Sequence, residues 1–242
     1  MTYLRSIGCL LLLFLCTFNI KAQTGTSKVP EELQVDIGGL YEQKQFPGLK
    51  PADTAALIVR INASLSMIAR NTDSAQALLT ETLQKSLHLH YDCGIAASLT
   101  NLAAIKSAKG QYESSLYYYR LAESFAIKGF RNRTSLAMFY SCMSAPFFYL
   151  SRYDSMYHYT EKAAGLIKGI RCRNAAEAMD VSGIYNNIGM LWEQVGDLKK
   201  AQLNMNKAIG ALLPFSRQPS LQHTLSQVYS NLALLSFDRK DY

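Results

Sequence analysis

"YNNIGMLWEQVGDLKKAQLNMNKAIGALLP", Tyr185–Pro214, is the stretch whose reading decides the fold. Tyr185, Ile188, Gly189 and Trp192 recur three and four residues apart, so they share one face of a helix. Gly196–Asp197 breaks that helix. Leu198, Ala201, Met205, Ala208 and Leu212 then repeat the spacing, and Pro214 ends the second run. Two amphipathic helices joined by a tight polar turn make a helical hairpin.

The same design recurs along the chain. "LTNLAAIKSAKGQYESSLYYYRLAESFAI" (Leu99–Ile127) breaks at Gly110, and "YSCMSAPFFYLSRYDSMYHYTEKAAGLI" (Tyr140–Ile167) breaks near Ser151. "VRINASLSMIARNTDSAQALLTETL" (Val59–Leu83) is the most divergent copy. "YSNLALLSFDRKDY" (Tyr229–Tyr242) is a first helix, with Tyr242 where a second would start. A small residue holds a constant register early in each first helix: Ala63, Ala103, Ser144, Gly189 and Ala233. Second helices repeat the device at Ala75, Ser115, Met156 and Ala201, and again at Thr82, Ala122, Ala163 and Ala208. Small residues where helices cross let the backbones approach, while large neighbours fill the grooves.

These residues resemble the tetratricopeptide repeat family: Tyr185, Ile188–Gly189, Trp192, Gly196–Asp197–Leu198, Ala201, Met205, Ala208 and Pro214 follow its pattern. The resemblance covers about residues 56–242, in units near 56–95, 96–136, 137–181 and 182–225 and a partial unit at 226–242. It implies an all-α, right-handed superhelical solenoid of stacked antiparallel helix pairs, with first helices lining a concave face. Lys106 stands where an aromatic is expected, and Met156 where a small residue is usual. The intervals between small sites are 40, 41, 45 and 44 residues, against about 34 in the standard repeat. Longer units of this kind look like those of bacterial regulators.

The chain has 242 residues, with 49% hydrophobic and 18% charged, an ordinary globular balance rather than a disordered one. The first 22 residues differ: Arg5 precedes the apolar run "IGCLLLLFLCTF", and "NIKAQ" follows. That order predicts a secretory signal cleaved after Ala22, because the run is shorter than the roughly 20 residues a membrane span needs. Residues 23–55 read as a linker or N-terminal cap, with a short helix near Glu31–Asp36. Export predicts a periplasmic or other extracytoplasmic location. The chain beyond Ala22 carries 23 Lys and Arg against 18 Asp and Glu, scattered rather than clustered, which excludes a nucleic-acid stripe. Beyond the signal, Cys93, Cys142 and Cys172 remain, an odd number that argues against a disulfide scaffold.

No phosphate loop, nucleotide fingerprint, zinc-protease motif or serine elbow is present. "HLHYDC" puts His90 and Cys93 three apart, the one spacing that hints at a metal; a structural or surface role is expected, with no cofactor. The expectation is a non-catalytic scaffold for a protein or peptide ligand on the concave face. The alternative is the extracytoplasmic sensor arm of a longer transmembrane signalling protein, a histidine kinase or DNA-binding regulator. Asn101, Asn187 and Asn231 recur at one register, and the resemblance implies that such an Asn bonds a peptide backbone, since an amide both donates and accepts. Thr100, Ser141, Asn186, Met190 and Glu193 are further inner-face candidates. Pro146 is expected to kink its helix and turn Phe148 or Tyr149 onto the concave surface. Tyr229, Leu232, Leu235 and Phe237 read as an uncovered apolar face capable of self-association.

Overall fold

The first helix among the described residues starts at Pro51, whose ring fixes φ and whose missing N–H costs nothing in a first turn. The computed structural model describes residues 49–68 and 70–238, with side chains to Leu235. The predicted signal and the helix near Glu31–Asp36 lie outside the described residues. Residues 51–55, read as linker or N-terminal cap, lie in the helix that starts at Pro51, where Pro51 and Asp53 supply the N-terminal turn.

Nine α-helices follow one another among the described residues, with no strand. They are α1 (Pro51–Met67), α2 (Thr72–His88), α3 (Asp92–Ala108), α4 (Tyr112–Gly129), α5 (Arg133–Tyr149), α6 (Tyr153–Ile167), α7 (Ala175–Gln194), α8 (Leu198–Leu212) and α9 (Pro219–Asp238). A 3-10 turn, Leu213–Phe215, follows α8 and contains Pro214. The fold is an all-α helical repeat, built as two units.

The first unit holds α1 to α4 together with Tyr149–Ser151. Consecutive helices pack on one another, and α1 also packs on α3. Ile61 and Leu65 of α1 meet Ala97 and Ala104 of α3. Ser115 of α4 donates to the Ala103 carbonyl of α3 at 2.8 Å, so the two small sites do meet at a helix crossing. In α1 the register differs from expectation: Ala63 is half-buried and its neighbour Ser64 is wholly buried. Ser64 returns its hydroxyl to the Ile61 carbonyl at 2.6 Å, which lets a polar residue occupy the apolar face. Gly129 brings α4 onto the start of α3, where an added Cβ would lie 2.4 Å from the Cys93 backbone nitrogen.

The second unit holds α5 to α9, apart from the last residue of α5. Here Gly189 of α7 sits against α8; a Cβ there would stand 2.9 Å from Met205 Cγ and 3.2 Å from the Ala201 carbonyl oxygen. Helix α9 packs on both α7 and α8, with Val228 against Ala208 and Ile209 and Leu221 against Ala178 and Leu212. Pro146 stands inside α5, which runs on unbroken to Tyr149.

The turns inside three hairpins share one geometry. Gly110, Ser151 and Gly196 adopt φ of 73°, 57° and 82°, the left-handed region. The next amide folds back onto a helix carbonyl in each: Gln111 to Lys106 and Asp197 to Trp192 at 2.9 Å, Arg152 to Phe147 at 2.8 Å. These bonds satisfy carbonyls that a helix end leaves open. Starts are capped as locally: Asn71, Asn174 and Asp197 accept from Ser74, Glu177 and Lys200 amides, each at 3.0 Å.

Candidate functional site

The first helix α3 is enclosed far more completely than a simple inner lining would require. Every residue of α3 from Cys93 to Ser107 is buried. Thr100 and Asn101 are among them, and neither the Thr100 hydroxyl nor either Asn101 amide atom has a hydrogen-bond partner. Ser98, one turn before Asn101, is in the same state. An unpaired buried polar group costs about 1–3 kcal/mol, so this polar track is a local concession of stability. Ser141 of α5 is also buried, and it donates to the Met138 carbonyl at 2.9 Å.

In the second unit the predicted residues do come together. Asn231 Nδ2 on α9 donates to Asn186 Oδ1 on α7 at 3.0 Å. The same nitrogen and Asn186 Nδ2 each lie 3.8 Å from Met190 Sδ. Asn186 is buried, whereas Asn231, Met190 and Glu193 are half-exposed, so the cluster reaches the surface. Asn187, one residue on from Asn186, is buried with its Nδ2 unpartnered. The shared register therefore splits into two environments: Asn231 bridges first helices, and Asn101 and Asn187 are enclosed. Phe148 is half-buried with its ring edge-on to Tyr153, at 6.2 Å between centroids. Tyr149 is exposed and stacks on Tyr112 at 4.4 Å.

Sequence reasoning missed a cationic device in the second unit. Lys162 Nζ on α6 lies 4.0 Å from the Tyr140 ring centroid, and Lys207 Nζ on α8 lies 5.5 Å from that of Tyr185. Tyr140 and Tyr185 occupy equivalent places in α5 and α7, and each lysine is the tenth residue of its helix. Ammonium over an aromatic face is attracted by the ring quadrupole. Lys200 likewise sits 3.9 Å above Trp192, whose ring stacks on Tyr157 at 5.2 Å. The signal was available as a Tyr in one helix and a Lys at matching register in the next.

The "HLHYDC" turn joins α2 to α3. His90 adopts φ of 48° there, and burial lowers its pKa, as does His88 more weakly. Tyr91 hydrogen-bonds Cys93; burial, then the Cys93 charge, pushes the Tyr91 phenol far above its usual range. Burial also raises the Cys93 thiol, which disfavours the thiolate a nucleophile or metal ligand needs. Among the described residues no three His, Cys, Asp or Glu side chains converge to hold a metal ion. The three cysteines there are free thiols, Cys93 and Cys142 buried and Cys172 half-buried. No described helix is long and apolar enough to cross a membrane.

No family profile and no curated protein matches the sequence. Among solved structures the chain resembles the crystal structure of BtubC (BKLC) from P. vanneervenii, with a TM-score of 0.60 and 20% identity over 79% of this chain and 76% of that one. At that identity the likeness concerns the fold: the chain has an all-α helical-repeat architecture.

Proposed function

We propose that this protein is a non-catalytic helical-repeat scaffold of the tetratricopeptide kind, exported by its first 22 residues, that binds a protein or peptide in an extracytoplasmic space. The observation that carries the reading is the α7–α9 cluster. Met190, Glu193 and Asn231 reach the surface together, giving a soft apolar contact, a carboxylate and an amide on two adjacent first helices. Such a set suits an extended or helical polypeptide, which presents amides and apolar side chains in turn. The hairpins with small-residue crossings support the tetratricopeptide assignment, and the 40 to 45 residue intervals make it a long-repeat variant.

The test is affinity capture from source cells with the wild-type chain and with Met190→Asp. A partner held by the wild type and lost with Met190→Asp supports the reading. Equal capture by both removes the cluster from function. Export is checked by N-terminal sequencing of the native protein: a start at Gln23 in an extracytoplasmic fraction is expected, and a start at Met1 in the cytoplasm rejects it.

A further inference from the structure

We infer that the α1–α2 hairpin is a hinged arm that swings off α3 as one body about the turn at His90, while α3 and α4 stay paired. The inference stands apart from the binding reading above and concerns a face that the closed arm hides.

What the arm covers is the reason it opens. Asn101 is wholly buried, and neither its Oδ1 nor its Nδ2 has a hydrogen-bond partner. It shares a helix face with Ala97 and Ala104, and those two alanines meet Ile61 and Leu65 of α1. Asn62 Oδ1 of α1, three residues before Leu65, is buried and unpartnered as well. Ser98 Oγ is another such atom. It lies one turn on from Gly94, where an added Cβ would stand 2.6 Å from Ser86 Oγ of α2. Both helices of the arm thus cover polar atoms that closure strips of water without replacing the lost hydrogen bonds.

The second unit shows what is missing. Asn231, two residues before its small site as Asn101 is, finds Asn186, which stands three residues before Gly189. The buried small residue of α1 is Ser64, so the place of Asn186 falls to Ile61, which has no polar side-chain group.

The arm is built to move as one piece. Arg60 of α1 reaches Thr82 Oγ1 of α2 at 3.3 Å and Glu81 beside it, and a short turn capped by Asn71 joins the two helices. Against α3, α1 sets Ile61 and Leu65 on alanine methyls, which bury little apolar area. The ion pair from the arm to the end of α3, Asp73 with Lys109 Nζ at 3.1 Å, is exposed, where such pairs add little. The hinge is His90, whose φ of 48° lies in the left-handed region. On its other side α3 keeps α4, through the Ser115 bond to Ala103 and the close approach at Gly129. The open form bares Ala97, Asn101 and Ala104, an amide between two small residues.

Native-state hydrogen exchange of the whole chain tests this. Amides of residues 58–65 and 79–87 should exchange together, at least about tenfold faster than those of residues 99–104 and 116–122. Asn101→Leu removes the stranded amide, so it should slow exchange of the arm about tenfold. Thiol labelling gives a second readout. Ala104→Cys, beneath the arm, should be alkylated by iodoacetamide under native conditions well ahead of Ala122→Cys, buried in α4. Equal protection across the four helices overturns the inference, as does labelling of Ala104→Cys no faster than that of Ala122→Cys. Faster exchange of the arm in Asn101→Leu also overturns it, because the amide would then be holding the arm closed.

Discussion

Asn231 of α9 donates to Asn186 of α7 at 3.0 Å across 45 residues of sequence, which ties two successive first helices through their side chains. Both lie beside Met190, so the bond forms in a weakly polar setting where it is harder for water to replace. Asn231→Ala should lower the unfolding free energy by about 1 kcal/mol. Trp192, the sole tryptophan, reports the urea transition. Adding Asn186→Ala should cost less than the sum of the two changes, with a coupling of about 0.5–1.5 kcal/mol; strict additivity would mean that the bond carries no stability.

Two glycines at helix positions predict opposite outcomes. A Cβ at Gly129 would collide with the Cys93 backbone at 2.4 Å, so Gly129→Ala should destabilise the first unit by about 1–3 kcal/mol. Gly210 lies within α8 with nothing within 4 Å of its Cβ position, and Gly210→Ala should stabilise by up to about 1 kcal/mol through helix propensity. Thermal melts of both variants decide this; a shift of the same sign in each would contradict the crossing at Gly129.

Ser151 occupies the turn position that Gly110 and Gly196 hold elsewhere, at φ of 57°. A Cβ in that region costs about 1–2 kcal/mol, while glycine gives part of this back through the freer unfolded chain. Ser151→Gly should therefore raise stability by about 0.5–1 kcal/mol. Chemical denaturation checks it, and Gly196→Ser should move stability the other way.

Alkali should weaken the first unit. Tyr91 and Cys93 both titrate above their ordinary values of 10.0 and 9.0 in the folded chain, mainly through burial. The unfolded chain releases these protons first. Stability from these groups is thus fully present below pH 9.0 and falls as pH rises past it. Tyr91→Phe should flatten the loss that sets in above pH 10.0, measured by urea midpoints across the range. An unchanged slope would mean that the phenol is as free in the folded chain as in the unfolded one.

Thiol labelling should follow burial. Cys172 is half-buried, whereas Cys93 and Cys142 are buried. With excess iodoacetamide under native conditions, peptide mass mapping should find Cys172 modified first and the other two only after denaturation. Glu177 and Asp180, after burial, raise the Cys172 pKa, so even this thiol should react more slowly than a free cysteine.

The sequence by itself determined the helices, their pairing and the small crossing residues, because each is written in local spacing. Gly196–Asp197 marks a turn in any context, and Ala103 facing Ser115 follows from two helical periods and a short connection. It misjudged α1, where burial of Ser64 rather than Ala63 depends on how that helix rotates against its neighbours. It could not separate Asn101 from Asn231, which share a register and differ only in what surrounds them. Nor did it show Lys162 and Lys207 finding their tyrosines, since neither contact lies within one helix. Burial, amide pairing and cation–aromatic contacts arise between elements distant in sequence, and the tertiary structure alone decided them.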